Sequence, residues 1–328
     1  MGANTKIIKR RMKSVVNTKK ITKAMEMVSA AKMRRAVEMT LKTRPYATLA
    51  RELMEQLSHT EKSDIPLLVA KPVQKMLVIL VTSNRGLCGS FNSNMFKKLS
   101  VLFKDVNGMA RHRVSGADDI LPTKDTKVTV DIIGIGKKST WFAKKYRHGL
   151  ISVYDSLSER PRLEDILPIS SQAMSAFIDG TYQKVIVAYT DYRSSLVQEP
   201  KVRQVLPISE IDLEKMAAEL TDVSQHAPHV LEDEALPASS HIVEQYMFEP
   251  DPMHILTTVL PRLVEVQIHQ AILESTASEH SARMVAMKSA TEAAGDMLQE
   301  LRLSFNKARQ NAITQEIAEI VGGAAALE

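Results

Sequence analysis

Residues 262–328 read RLVEVQIHQAILESTASEHSARMVAMKSATEAAGDMLQELRLSFNKARQNAITQEIAEIVGGAAALE, and they contain no proline. All 13 prolines of the chain lie from Pro45 to Pro261, so residues 1–44 are free of it as well. A proline inside a helix costs ~3 kcal/mol or more and a glycine ~1 kcal/mol. With only Gly2, Gly295, Gly322 and Gly323 among them, both ends of the chain permit continuous helix. At 1.5 Å per residue the last segment would reach about 100 Å. Globular helices average about a dozen residues, so one this long cannot bury its faces inside one small domain and needs a partner helix.

The partner is legible at the other terminus. Ile8, Met12 and Val15, then Ile21, Met25 and Val28, follow the 4-then-3 spacing of a coiled-coil seam with a skip between the groups. Leu260, Leu263, Val264, Ile268, Ala271 and Ile272, and later Leu298, Leu301, Phe305 and Ala308, continue a similar stripe. The two ends are therefore expected to wind around each other. Asp251-Pro252 marks the start of the second rod, an N-cap followed by proline at the first helical position, and Pro261 is expected as a kink or a boundary.

Between the rods the pattern alternates. Strands are expected over 75–82, 127–135 and 183–189, and helices over 92–103, 137–147 and 170–178. This is the signature of parallel β-α-β units. Residues 105–125 and 221–240 read as long loops, and no internal repeat suggests a solenoid. The expected fold class is α/β: a long antiparallel coiled coil of N- and C-terminal helices with an inserted Rossmann-like α/β domain. The expected boundaries are an N-terminal coiled-coil helix over 1–60, an α/β domain over 73–210, a linker and return segment over 211–250, and a C-terminal coiled-coil helix over 251–328.

Composition fits this layout. The chain is 44% apolar and 25% charged, an ordinary globular mixture, while 5% aromatics beside 17 Met lean toward adaptable helical contacts. Cys88 is the only cysteine, which excludes an internal disulfide and suits a reducing compartment. The longest strongly apolar run, 76–81, falls far short of the ~20 residues that span a bilayer. The N-terminus MGANTKIIKRRMKS has no apolar stretch after its basic residues, so a secretory signal is not expected, and its basic pattern continues into helix rather than a transit peptide. Residues 1–44 carry 13 Lys/Arg against Glu26 and Glu38. Such a basic arm suits nucleic acid, anionic lipid or an acidic protein, or is simply a solvated helix face.

Motifs for chemistry are incomplete. Ser83-Asn84-Arg85-Gly86-Leu87-Cys88-Gly89 follows a strand but lacks the third glycine of a dinucleotide fingerprint, and reads as a tight strand-to-helix turn. Gly134-Ile135-Gly136-Lys137-Lys138-Ser139 imitates a phosphate loop, yet Asp131 stands where the first glycine belongs and Lys138 where Ser or Thr must follow the lysine. His226 and His229 near Glu232, Asp233 and Glu234, and Glu265 with His269, do not follow a known metal-ligand spacing. No catalytic residue, cofactor or metal is expected.

The end of the second rod is more informative, because its charges and amides occupy several helix faces. Ile313-Thr314-x-Glu316-x-x-Glu319-x-x-x-Gly323-Ala324-x-Ala326 resembles the C-terminal signature of the F-type ATP synthase gamma subunit, bacterial type. Residues 21–28, ITKAMEMV, with Lys32-Met33-Arg34, resemble that family's N-terminal helix. Arg85-Gly86-Leu87-Cys88-Gly89, Phe248-Glu249-Pro250-Asp251-Pro252 and residues 279–287, EHSARMVAM, agree in order along nearly the whole chain. Asn84 departs from the family's usual Asp, and the loops 105–125 and 221–240 are longer than usual.

The resemblance implies a non-catalytic central rotor shaft of the proton-translocating ATP synthase, carrying torque between the membrane ring and the catalytic beta subunits. It implies three alpha and three beta subunits, the epsilon subunit, the delta subunit of the same complex and the membrane c-ring as partners, with no nucleic acid. It implies that Met25, Arg309, Gln310, Thr314 and Glu316 face the beta-subunit loops. The expected location is peripheral, on the cytoplasmic face of a bacterial inner membrane. Two other classes compete: a basic coiled coil binding nucleic acid with steep salt dependence, which leaves the α/β insert unexplained, and a nucleotide hydrolase, against which the incomplete phosphate-loop motifs speak.

Overall fold

The computed structural model describes residues 2–42, 65–111, 128–158, 160–208 and 252–325. The chain divides into two units, Met1–Ala30 with Arg283–Glu328, and Ala31–Ala282. Helix α1 spans Gly2–Lys42, and the last helix, α6, spans Pro252–Ala325. The end of the expected N-terminal helix, the loop 221–240 and the linker 211–250 lie outside the described residues, as does most of the loop 105–125.

In the first unit the two helices run antiparallel. Thr22 and Thr291 share a 2.8 Å hydroxyl hydrogen bond. Toward the other end Arg11, Ser14 and Val15 of α1 share a groove with Met297, Glu300, Leu301 and Ser304 of α6. On α6 from Met297 to Val321 the residues withdrawn from solvent are Leu298, Leu301, Phe305, Ala308, Ala312 and Gln315, an unbroken alternation of 3 and 4.

The α1 seam differs from the expected one. Ile21 is 61% exposed and Val28 53%, whereas their neighbours Thr22 and Ser29 are 8% and 3% exposed. The heptad therefore runs on from Ile8, Met12 and Val15 through Thr22 and Ser29 without a skip. A small hydroxyl residue at the seam bonds back to its own helix, Thr22 Oγ1 to Lys19 O at 3.1 Å. The larger apolar side chains beside it are left facing outward.

The second unit is built on a five-stranded sheet of order β3-β2-β1-β4-β5. Along the chain it contains β1 (Lys75–Val81), α2 (Phe91–Leu102), α3 (Val106–Arg111), β2 (Thr129–Ile135), α4 (Lys137–Tyr146), β3 (Gly149–Tyr154), α5 (Leu163–Ile178), β4 (Lys184–Tyr192) and β5 (Gln198–Leu206). The pairs β1–β2, β1–β4 and β2–β3 are parallel, and β5 returns antiparallel to β4. The central strand β1 is buried after its first residue and reads as a continuous apolar run, as a strand covered on both faces must. One face packs Met95, Leu99, Phe142 and Ala143 of α2 and α4 against the sheet. The other packs Ile166, Ile169, Ala173 and Phe177 of α5, with Leu263, Val264, Ile268 and Ile272 of α6.

Four features depart from expectation. The edge strand β3 alternates between exposed and half-buried residues, so its signal is weak. The other edge strand, β5, contains Pro200, which a strand accepts only at an edge where its missing N–H is not needed. Helix α3 occupies the start of the expected loop 105–125. Pro261 does not break α6, which runs through it, with Leu260, Leu263 and Val264 held in the core on either side.

Candidate functional site

The first unit carries its surface chemistry off the seam. Arg309, Gln310, Thr314 and Glu316 are all exposed, while Ala308, Ala312 and Gln315 beside them are half-buried. Their spacing places Gln310, Thr314, Ile317 and Val321 on one outer stripe and Arg309, Ile313, Glu316 and Ile320 on the next. From the register at Thr22 and Thr291, the first turn of α1 lies level with residues near Ala312. Helix α6 continues to Ala325, roughly 20 Å further by its rise per residue. Residues 316–321 are exposed without exception, including Ile317 at 55%, Ile320 at 72% and Val321 at 62%. An isolated soluble helix rarely leaves such a contiguous apolar end in water, so the arrangement suits a sleeve supplied by other chains.

The five residues expected to act together form two stations rather than one cluster. Met25 is half-buried on α1, flanked by the exposed Ile21, Met27 and Val28. The antiparallel register sets it level with α6 residues near Lys288, roughly 30 Å along the pair from Arg309. Sequence reading missed the outward Ile21, Met27 and Val28, and also Ile317 and Ile320. The signal was present: Ile21, Met27 and Val28 fall one position off an uninterrupted heptad, and Ile317 falls two positions past the seam residue Gln315.

The two glycine-bearing turns of the second unit meet at the carboxyl ends of β1 and β2, where a Rossmann fold binds phosphates. Here the turns bond to each other. Thr82 N–H and Thr82 Oγ1 both donate to Ile135 O at 2.8 Å. The first N–H groups of α4 are satisfied within the protein, Lys137 N–H by Asn84 Oδ1 at 3.1 Å, Lys138 N–H by Ser83 O at 3.4 Å and Ser139 N–H by Gly136 O at 3.2 Å. Asn92 locks the first turn, accepting from Ser83 N–H at 3.1 Å and donating to Ser83 Oγ at 2.7 Å. Gly136, at φ 85°, is required because a Cβ there would run into Thr82 O. With its donors used, this helix N-terminus has none left for a phosphate. Both motifs are closed turns.

Metal chemistry finds no support in the pair Glu265 and His269. Glu265 accepts from Arg262 Nη1 at 2.8 Å, and His269 Nε2 donates to Pro161 O at 2.9 Å. Burial lowers the His269 pKa against a smaller opposing effect of that hydrogen bond. Among the described residues no three His, Cys, Asp or Glu converge on a possible ion site, and no helix is long and apolar enough to cross a membrane. His226 and His229 lie outside the described residues.

Comparison with known proteins covers the whole length. The family model described as ATP synthase matches residues 4–327. The ATP synthase gamma chain of Roseiflexus sp. (strain RS-1) is 38% identical over 327 residues, 99% of this chain and 98% of that one. That of Chloroflexus aurantiacus (strain ATCC 29366 / DSM 635 / J-10-fl) is 38% identical over 324 residues, 98% and 97% of the two chains. A chain in the cryo-EM structure of the Euglena gracilis mitochondrial ATP synthase, OSCP/F1/c-ring, rotational state 3, shares the fold at TM-score 0.61 and 18% identity, over 100% of this chain and 95% of that one.

Proposed function

This chain belongs to the ATP synthase gamma-chain family, and on that premise we propose that it is the central rotor shaft of the enzyme, itself without catalytic groups. The helix pair is the part that turns inside the ring of three alpha and three beta subunits. The α/β unit is the part offered to the epsilon subunit and the membrane c-ring, with the delta subunit in the same complex. Proton flow turns the ring and the shaft with it, and the shaft's asymmetry drives each beta site in turn through binding, synthesis and release.

The observation that carries this reading is the bare end of α6, where residues 316–321 expose three large apolar side chains beyond the reach of α1. A rotor bearing needs contacts that are apolar and shallow, so that no single position holds the shaft. Ile313, Ile317 and Ile320 supply those. Arg309, Gln310, Thr314 and Glu316 supply polar grips against the beta-subunit loops, and Met25 does the same work as a sliding contact at the second station.

This subunit is peripheral to the membrane, and we place it on the cytoplasmic face of a bacterial inner membrane, a reading supported by the single, buried, unbridged Cys88. The test is reconstitution of the complete enzyme, membrane ring included, into sealed vesicles with the Arg309→Ala, Gln310→Ala double variant. Coupling of ATP hydrolysis to proton pumping should fall severalfold while one copy still binds per hexamer. Unchanged coupling would remove these two residues from the torque path.

A further inference from the structure

The face of the second unit formed by α2 and α4 has a composition that shaft function does not require. Residues 75–104 and 132–154 contain no Asp or Glu. Lys97, Lys104, Lys137, Lys138, Lys144, Lys145 and Arg147 are exposed there, and Asp105 and Asp155 are the exposed carboxylates among them, Asp155 Oδ2 lying 4.0 Å from Lys137 Nζ. Asp105 is occupied locally, its Oδ1 accepting Gly108 N–H at 2.7 Å.

Trp141, the only tryptophan of the chain, stands on this face and is 51% exposed. It is fixed from below by Phe96 at 5.5 Å, which in turn stacks on the buried Phe142 at 5.0 Å. Lys145 Nζ lies 4.8 Å from the Trp141 ring centroid. Val101 on the same helix layer is 58% exposed.

We propose that this face binds the surface of an anionic lipid bilayer directly, with Trp141 at headgroup level and the lysines over anionic headgroups. Lysine is depleted in the cores of protein–protein interfaces, whereas a diffuse lysine field around an amphipathic indole suits a fluid anionic surface. The cations are spread singly rather than paired into the arginine forks that recognise carboxylate or phosphate groups at fixed geometry. The inference goes beyond the shaft reading and rests on it only for the nearness of a membrane.

Trp141 is its own reporter. The full chain is titrated with vesicles of phosphatidylcholine alone and of phosphatidylcholine with phosphatidylglycerol, and tryptophan emission is followed. A blue shift is expected with the anionic vesicles and none with the neutral ones. Each lysine near such a surface contributes about a fivefold factor, so Lys137→Gln, Lys144→Gln, Lys145→Gln together should weaken binding about 100-fold. The α1 variant Lys9→Gln, Arg10→Gln, Lys13→Gln, which removes charge from the other basic region, should leave the emission shift in place.

A shift lost in the α1 variant but kept in the α4 variant would overturn the proposal. So would a shift produced by polyglutamate or duplex DNA and not by vesicles, which would assign the face to an acidic protein or to nucleic acid. Alpha and beta subunits are absent from this assay, so its failure leaves the shaft reading standing, and failure to assemble with them leaves the lipid reading standing.

Discussion

The α1 seam can be tested at adjacent positions. Leu298 of α6 is 7% exposed. Leu→Ala in a closed core costs 2–5 kcal/mol, and a two-helix seam with open flanks belongs at the low end, about 2 kcal/mol. Ile21 is 61% exposed, so only about two fifths of an equivalent loss applies, roughly 0.8 kcal/mol, and the better helix propensity of alanine returns about half of it. The net cost of Ile21→Ala is then about 0.4 kcal/mol. Hydrogen exchange of peptides within residues 287–301 reads local opening of the pair, and its rate follows the opening free energy. Leu298→Ala should accelerate exchange about 30-fold and Ile21→Ala about twofold. Equal acceleration by the two, or a larger effect of Ile21→Ala, would put Ile21 on the seam and refute the uninterrupted heptad.

Three further outcomes follow from the same geometry. Met25→Lys should lower coupling between ATP hydrolysis and proton pumping, because an ammonium at this half-buried station can pair with a beta-subunit carboxylate and resist sliding; the ratio of pumping to hydrolysis measures it. Asn84→Asp should stabilise the second unit by about 0.3–1 kcal/mol, since the carboxylate would accept from Lys137 N–H at the start of α4; urea denaturation at low salt checks the gain, which salt should reduce. Lowering pH should destabilise the second unit, because burial holds both His148 and His269 below their ordinary value of 6.5. The unfolded chain then binds the extra protons, so stability is full above about pH 6.5 and declines as pH falls toward the folded-state values; His269→Gln should flatten part of that decline in a series of denaturation midpoints.

Much of this architecture was legible because proline and periodicity act locally. The absence of proline from residues 262–328 foretold α6, and the apolar run from Met76 foretold the central strand β1. The edge strands were hidden for a physical reason: each has one neighbour and a wet flank, so β3 lacks a strong apolar run and β5 tolerates Pro200. The seam was misread at Ile21 and Val28 because hydrophobicity alone ranks them above Thr22 and Ser29. Close helix approach favours the small hydroxyls, and the displaced apolar side chains were free to serve partners. The two stations at Met25 and Arg309 could not be separated from sequence, since their distance depends on the antiparallel register.

The claim that this chain is a rotor is tested most directly by watching it turn. Cys88 is buried at 3% exposure, so a cysteine introduced at the exposed Glu164 of α5 can be labelled selectively and linked to a bead after assembly with surface-fixed alpha–beta hexamers. With ATP supplied, continuous rotation in one direction is the predicted result. Hydrolysis by a correctly assembled complex whose bead only fluctuates about a fixed angle would contradict the account.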